Sequence, residues 1–125
     1  MTDLIILGNG MAGMTAALYA ARANLDFKLV GKDEFMFGQI GDAILVENYP
    51  CAGRLTGFDL AMKLHDQLEY VGVNVEEHEV KNIRKDTENN CFVIEYDDGT
   101  IANAKTVIYA LGASHRKLNC KIEGE

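Results

Sequence analysis

A G-x-G-x-x-G pattern near the N-terminus constrains the fold of this chain more than any other feature. Its glycines are Gly8, Gly10 and Gly13, which lie between a short apolar run at 3–7 and a proline-free, alanine-rich segment at 11–23. A dinucleotide-binding fingerprint occupies this kind of strand-to-helix turn. The first glycine allows the tight turn, the second lets the backbone approach a pyrophosphate, and the third lets helix and strand pack closely. The helix N-terminus then offers free N–H groups and a favourable dipole to a diphosphate.

The next segments continue this pattern into a β-α-β unit. A second apolar run at 27–30 ends at Gly31 and predicts a buried strand, joined to the first by a right-handed crossover. A second helix is expected to begin at Thr56, with Asp59 at the capping-box position, and to end at Gly72.

The rest of the chain predicts a change of strand direction. Residues 73–75 predict a third parallel strand and residues 106–111 a fourth one. Alternation at 80–85, 91–96 and 100–104 predicts an antiparallel meander. The sequence therefore indicates an α/β, Rossmann-like fold, with a short parallel sheet, helices on one face and an antiparallel β-meander on the other. With 125 residues, the chain has room for one domain only.

The connection at 31–57 is rich in glycine and has no sustained period. Such long loops are usually functional or mobile. Asp33 and Glu34 follow the second strand, slightly later than the position where the fingerprint expects a carboxylate that accepts the ribose hydroxyls. One of the two is expected to do so, although an acidic loop is also commonly just a solvated one.

Charge and cysteine content exclude several classes of function. The net charge is −7 and the pI about 4.9, so nucleic acid is not an expected partner. No segment is typical of a signal peptide or a transmembrane helix, so no membrane association is expected. Cys51, Cys91 and Cys120 form neither a C-x-x-C pair nor an even set, and a cytoplasmic location is predicted. Cys51 is interpreted as a small buried hydrophobic residue rather than a redox group.

The histidines show no metal-ligand spacing. His65, His78 and His115 are widely separated and are interpreted as surface residues. No metal site is predicted, and no side chain is assigned as an acid, a base or a nucleophile.

Taken as a whole, the sequence resembles the thioredoxin reductases, which are FAD-dependent oxidoreductases with two dinucleotide domains. The matching segments are ILGNGMAGMTAALYAARANL at 6–25, FGQI at 37–40, ENYP at 47–50, LTGFDL at 55–60, DDGT at 97–100 and VIYALGAS at 107–114. The small residues Ala17 and Ala21 continue the fingerprint at four-residue steps, as the family's FAD site does. The resemblance implies that residues 1–125 form the N-terminal portion of an FAD-binding domain.

The resemblance also implies where FAD would bind. Gly38 and Gln39 would approach the flavin and the pyrophosphate, and Asn48 would lie near the flavin end. The backbone of Val80 would meet the adenine, and the segment at 110–112 would close over the cofactor. The full set of expected cofactor-binding residues is Gly8, Gly10, Met11, Ala12, Gly13, Asp33, Glu34, Gly38, Gln39, Asn48, Val80, Ala110 and Gly112.

Two residues depart from the family pattern. Phe37 replaces the first glycine of G-G-Q and is expected to crowd a close backbone approach. Leu111 replaces the threonine of A-T-G and removes a hydroxyl, so altered or weaker cofactor binding is expected there.

The family's reaction passes electrons from NADPH through flavin to a C-x-x-C disulfide and then to thioredoxin. A second glycine fingerprint, a C-x-x-C pair and the C-terminal FAD segment do not occur in this sequence. The chain is therefore expected to be a piece of a longer protein or a split chain, acting as a homodimer or with a complementing chain. Two alternatives stay open, namely a related ferredoxin–NADP reductase-like flavoprotein without disulfide chemistry and a non-catalytic module that binds a nucleotide or a partner.

Overall fold

The computed structural model describes residues 1–113, in helices and strands that largely match the predicted ones. In chain order these elements are β1 (Thr2–Leu7), α1 (Met11–Arg22), β2 (Phe27–Gly31), α2 (Gln39–Asp42), α3 (Gly57–Tyr70), β3 (Val75–Glu77), β4 (Val80–Asp86), β5 (Cys91–Tyr96) and β6 (Ile101–Tyr109). The short helix α2 lies in the connection predicted to be irregular. The interpretations of His115 and Cys120 fall outside the described residues. Within residues 1–113, no helix has the length and apolar character needed to cross a membrane.

The strands form one six-stranded sheet in the order β3-β2-β1-β6-β5-β4. Pairing is parallel from β3 to β6 and antiparallel from β6 to β4. Strand β1 lies inside the parallel half, and its residues from Leu4 to Leu7 are buried on both faces. The predicted α/β fold is therefore confirmed.

Strand β6 joins two segments that the sequence analysis treats as separate strands. Its first part, Ile101 to Ala104, pairs antiparallel with β5, and its second part, Ala104 to Tyr109, pairs parallel with β1. No glycine or proline interrupts the chain here, so one extended strand passes from the meander into the parallel sheet. The change in hydrophobic pattern thus reflects a change of pairing partner and not a break in the strand.

Each face of the sheet carries its own hydrophobic cluster. Leu4 and Ile6 of β1 pack with buried residues of α1 and α3, such as Met14 and Leu68. Ile5 and Leu7 point to the other face because side chains alternate along a strand. The cluster on that face comprises Ile5, Leu7, Val30, Ile94, Tyr96 and Ala104. Helices therefore cover one face and the meander covers the other.

The connection between β3 and β4 shows how the meander reaches that face. Only residues 78 and 79 separate these strands, which stand at opposite ends of the strand order. Because an extended chain spans at most about 3.6 Å per residue, the two edges of the sheet must curl toward each other. The His78 N–H donates to the Gly31 carbonyl at 2.8 Å, and the Asp97 N–H to the Glu79 carbonyl at 2.9 Å. The end of β2 is thereby joined to the start of the meander.

Helix α3 has well-defined caps at both ends. The Thr56 hydroxyl accepts the Asp59 N–H at 3.0 Å, which confirms the predicted start. At the other end Gly72 has φ +82°, and the Val73 N–H donates to the Leu68 carbonyl at 2.9 Å, as in a Schellman cap. This cap takes up Val73, so β3 begins later than predicted, at Val75.

Removing the capping hydroxyl of Thr56 should lower the stability of the fold. Thr56→Ala removes the acceptor for the Asp59 N–H and should lower the free energy of unfolding by about 1 kcal/mol. Thr56→Ser keeps the hydroxyl and should stay close to the wild type. Urea unfolding followed by circular dichroism measures both variants, and an equal loss in the serine variant would contradict a capping role.

Candidate functional site

The glycine fingerprint lies where three backbone segments meet at the carboxyl end of β1. Gly8 has φ +111°, and its N–H donates to the Val30 carbonyl at 2.7 Å. A Cβ on Gly8 would overlap the Ala110 carbonyl, and one on Gly13 would overlap the Gly8 carbonyl. Gly8 and Gly13 are therefore required for the close packing of β1, α1 and the end of β6.

Gly10 has a different role from its two neighbours. It is the N-cap of α1 with an ordinary φ of −75°, and a Cβ there would meet only the Phe37 carbonyl, at 3.2 Å. Within residues 1–113 no side chain caps α1, and its first turn has no acidic residue. Met11 is partly exposed and Ala12 is exposed, so the N–H groups of this turn face open space that could accept an anion.

The segment after β6 runs beside the same turn. The Ala110 N–H donates to the Leu7 carbonyl at 2.8 Å, and Gly112 has φ +69°. Gln39, in the first turn of α2, donates its amide to the Ala113 carbonyl at 3.1 Å. A cavity of about 290 Å³ lies beside this contact, lined by Phe35, Met36, Phe37, Gly38, Gln39, Gly41, Asp42, Phe58 and Ala113. The structure thus brings Gly38 and Gln39 together with Ala113, which directly follows the 110–112 segment.

Phe37 lines this cavity, but its ring does not approach the glycine turn. Its side chain is buried, and its ring lies 5.7 Å from the Phe58 ring and 6.1 Å from the His65 ring. Only its carbonyl oxygen approaches Gly10, so the ring does not crowd the fingerprint. Leu111, the second departure from the family pattern, is exposed.

Asn9, between the first two glycines, is a site residue that the sequence analysis missed. Its buried amide donates to the carbonyls of Asp33, at 2.8 Å, and Glu34, at 3.1 Å. A Cβ on Gly31 would overlap the Asn9 side chain. The sequence signal that could have revealed this contact is an asparagine inside the fingerprint together with a glycine at the end of β2. Asn9 holds the loop after β2 against the glycine turn.

His65 is buried, so its interpretation as a surface residue is wrong. Its side chain is 9% exposed, and its Nε2 lies 2.9 Å from Oε1 of Glu34. The residue lies on the buried stripe of α3, four residues after Ala61 and three residues before Leu68. Among the described residues, the Glu34 carboxylate pairs with Nε2 while Nδ1 is buried without a hydrogen-bond partner, and apolar periodicity does not reveal such a polar contact.

The curl of the sheet places a second histidine near the end of β2. The His78 ring stacks on the Tyr96 ring with 4.1 Å between centroids, and its Nε2 lies 3.0 Å from Oε1 of Glu76. Val80 follows directly, at the start of β4. Val80 is therefore brought to the same end of the sheet as the loop after β2.

Asn48 and Cys51 both lie in the exposed segment between α2 and α3. An isolated bridge between Val46 and Leu55 closes this segment, and Asn48 is exposed within it. Among residues 1–113, no hydrogen bond links Asn48 to the glycine turn. Cys51 is exposed with φ +69°, so its interpretation as a buried residue is wrong because it lies in a surface turn.

These features define a dinucleotide-binding domain. Glycines allow a close backbone approach, a helix N-terminus faces open space, and both lie at the carboxyl ends of parallel strands, where open α/β sheets bind ligands.

Comparison with known proteins agrees with this class. A family model described as pyridine nucleotide-disulphide oxidoreductase matches residues 2–125. A 34.2 kDa protein in the rubredoxin operon of Clostridium pasteurianum is 38% identical over 117 residues, which cover 93% of this chain and 37% of that protein. Thioredoxin reductase of Mycoplasma pneumoniae is 34% identical over 116 residues, or 93% and 36% of the two chains. The crystal structure of Lactococcus lactis thioredoxin reductase (FR conformation) matches with a TM-score of 0.86 and 34% identity, covering 95% of this chain and 38% of that chain.

The chain belongs to the pyridine nucleotide-disulphide oxidoreductase family, as the match over residues 2–125 shows. It is similar to thioredoxin reductases in sequence and in fold. It spans less than two-fifths of the length of the relatives named above.

The ionisation of the Tyr96 hydroxyl should be measurable in a pH titration. Burial, with the charges of Glu76 and Asp98, raises the pKa of Tyr96 above 10.0. Because the folded state keeps this proton longer than the unfolded state, stability should fall as the pH rises above 10.0. In absorbance titrations of tyrosinate, one tyrosine should ionise late, and Tyr96→Phe should remove that step.

The same variant tests how the hydroxyl is accommodated. The Tyr96 oxygen is buried without a hydrogen-bond partner within residues 1–113. Tyr96→Phe should therefore keep or slightly raise stability at neutral pH, since it leaves no group unpaired. A loss above about 1 kcal/mol would indicate a partner for this hydroxyl.

Proposed function

We propose that this chain binds FAD, with the FAD diphosphate on the turn between β1 and α1. The single observation that carries this proposal is the uncapped N-terminus of α1, which directly follows glycines that keep side chains out of the turn. The residues present fit the group, because Gly10 carries no Cβ and the N–H groups of Met11 and Ala12 are available to phosphate oxygens. Gly8 and Gly13 contribute by holding this geometry.

The other cofactor contacts follow from the arrangement around the turn. Gly38 and Gln39 would line the path toward the flavin, and Ala110 and Gly112 would cover the diphosphate from the end of β6. Asn48 would approach the flavin from the exposed segment before α3.

At the opposite end of the cofactor, the loop after β2 would receive the adenosine. A carboxylate of Asp33 or Glu34 would accept the ribose hydroxyls. The backbone of Val80 would meet the adenine, because the sheet curl places the start of β4 at this end.

In the whole protein, we propose, electrons pass from NAD(P)H through FAD to a disulfide, with a thioredoxin-like protein as acceptor. The similarity to thioredoxin reductases supports this reaction over a flavoprotein without disulfide chemistry. Bound FAD would supply the electron-transfer chemistry, while this chain would bind and orient it. The NAD(P)H site and the disulfide would belong to parts of the protein beyond this sequence.

Cofactor binding is tested by titrating the purified chain with FAD and following the quenching of flavin fluorescence. Saturable binding that excess ADP competes away is expected, because ADP would occupy the same diphosphate and adenosine positions. Mass spectrometry of any ligand released on denaturation identifies what the protein carries as purified. A folded chain that binds neither FAD nor ADP would contradict the proposal.

Two alanine variants separate binding from folding. Gly10→Ala adds a methyl group where the diphosphate would approach and should weaken FAD binding about tenfold or more, with a smaller loss of stability than Gly13→Ala because its new Cβ would lie 3.2 Å from the Phe37 carbonyl. Gly13→Ala forces the helix away from the Gly8 carbonyl and should destabilise the fold itself. Equal FAD affinity in Gly10→Ala and wild type would place the diphosphate elsewhere.

A further inference from the structure

The loop after β2 is held by contacts from three different elements. Asn9, in the glycine turn, donates to the carbonyls of Asp33 and Glu34. His65 of α3 lies 2.9 Å from the Glu34 carboxylate. The Glu34 N–H donates to Oε1 of Glu77 in β3 at 3.3 Å. The conformation of this loop is therefore fixed by the packing of α3 and β3, as well as by its own sequence.

These contacts treat the two neighbouring carboxylates differently. The Glu34 carboxylate is directed into the protein toward His65, and its side chain is 35% exposed. Within residues 1–113, the Asp33 carboxylate accepts one hydrogen bond, from the Phe35 N–H to Oδ1 at 2.9 Å within its own turn. That bond fixes the direction of the Asp33 side chain and leaves its second oxygen available to a ligand hydroxyl.

We propose that His65 is a positioning residue for nucleotide recognition, which holds Glu34 so that Asp33 is the carboxylate presented to the ribose. The inference rests on the proposed binding of FAD, and it identifies the adenosine contact within that site. His65 acts through Glu34 and touches no cofactor itself. Because the carboxylate can only accept a hydrogen bond, Nε2 is the donor and carries the hydrogen, and the ring is oriented by Glu34.

The surroundings of His65 favour a role in holding the loop after β2 against α3. The Phe35 ring lies 5.1 Å from the imidazole, and the Phe37 ring lies 6.1 Å from it. On the other side, Nδ1 lies 3.8 Å from Oδ1 of Asp66, beyond hydrogen-bond distance. Among the described residues, Glu34 is therefore the one hydrogen-bond partner of this ring, whose Nδ1 is buried and unpaired, and the contact joins the loop to α3.

The test compares binding of ADP and 2′-deoxy-ADP to the purified chain by calorimetry. These ligands differ only in the hydroxyl that the proposal assigns to Asp33. Since a hydrogen bond to a charged group contributes about 1.5–3 kcal/mol, the wild type should prefer ADP by about tenfold or more. This ratio reports ribose recognition directly and is insensitive to a uniform loss of folded protein.

A matched pair of amide variants assigns the carboxylates. Asp33→Asn keeps the oxygen that accepts the Phe35 N–H but removes the charge, and should reduce the ADP preference severalfold. Glu34→Gln keeps an acceptor for His65 and should retain the wild-type ratio. The reverse pattern would assign the ribose to Glu34 and overturn the inference.

Variants of His65 test the positioning role. His65→Leu removes the tether and should lower the ADP preference, whereas His65→Gln can still donate to Glu34 and should partly restore it. In a Glu34→Ala background, His65→Leu should change the ratio no further, because the two residues act through one contact. Gln67→Leu, an exposed substitution on the same helix, is the control and should match the wild type.

The outcomes distinguish the inference from the function on which it depends. A wild type that binds neither ADP nor FAD refutes the proposed function. A wild type that binds ADP without preference, or a folded His65→Leu with the wild-type ratio, refutes the inference alone. If His65→Leu does not fold, Glu34→Ala removes the same contact by changing its more exposed partner. An unchanged ADP preference in that variant would also refute the inference.

Discussion

The close approach of three backbone segments at Gly8 is the constraint on which the rest of the structure depends. Helix α1 can lie on β1 only because Gly13 has no side chain against the Gly8 carbonyl, and β6 can pass beside β1 only because Gly8 has none against Ala110. These contacts set the position of the α1 N-terminus relative to the sheet edge. The residues that satisfy this packing requirement are therefore also the ones that shape the proposed diphosphate site.

The second constraint is the short connection between β3 and β4. It forces the sheet to curl, so that the meander both covers the apolar face opposite the helices and delivers residues to the carboxyl end of β2. The hydrogen bond from the His78 N–H to the Gly31 carbonyl joins the start of the meander to the end of β2. A longer connection would let the meander pack elsewhere on the face and would leave open the end of the site at which the adenosine is proposed to bind.

Much of this fold could be predicted from the sequence because its signals are local. The run of apolar residues in β1, the glycine turn and the Thr56 cap each depend on residues that are neighbours along the chain. The contacts that escaped prediction join distant parts of the chain. His65 and Glu34 are 31 residues apart, and the two carbonyls that Asn9 binds are 24 and 25 residues away. The unbroken course of β6 also depends on which strands flank it, which local alternation does not encode.

Electrostatics explain how a chain with a net charge of −7 could accommodate the diphosphate of the proposed cofactor. Acidic residues are kept out of the first turn of α1, where the helix dipole favours an anion. Three carboxylates in and beside the loop after β2 each accept a hydrogen bond, Asp33 from the Phe35 N–H, Glu34 from His65 and Glu77 from the Glu34 N–H. Each of these bonds stabilises part of the negative charge within the protein. The acidic character of the loop is then compatible with nucleotide binding, and one of its carboxylates becomes available for a hydroxyl, which is a neutral partner that a carboxylate binds well.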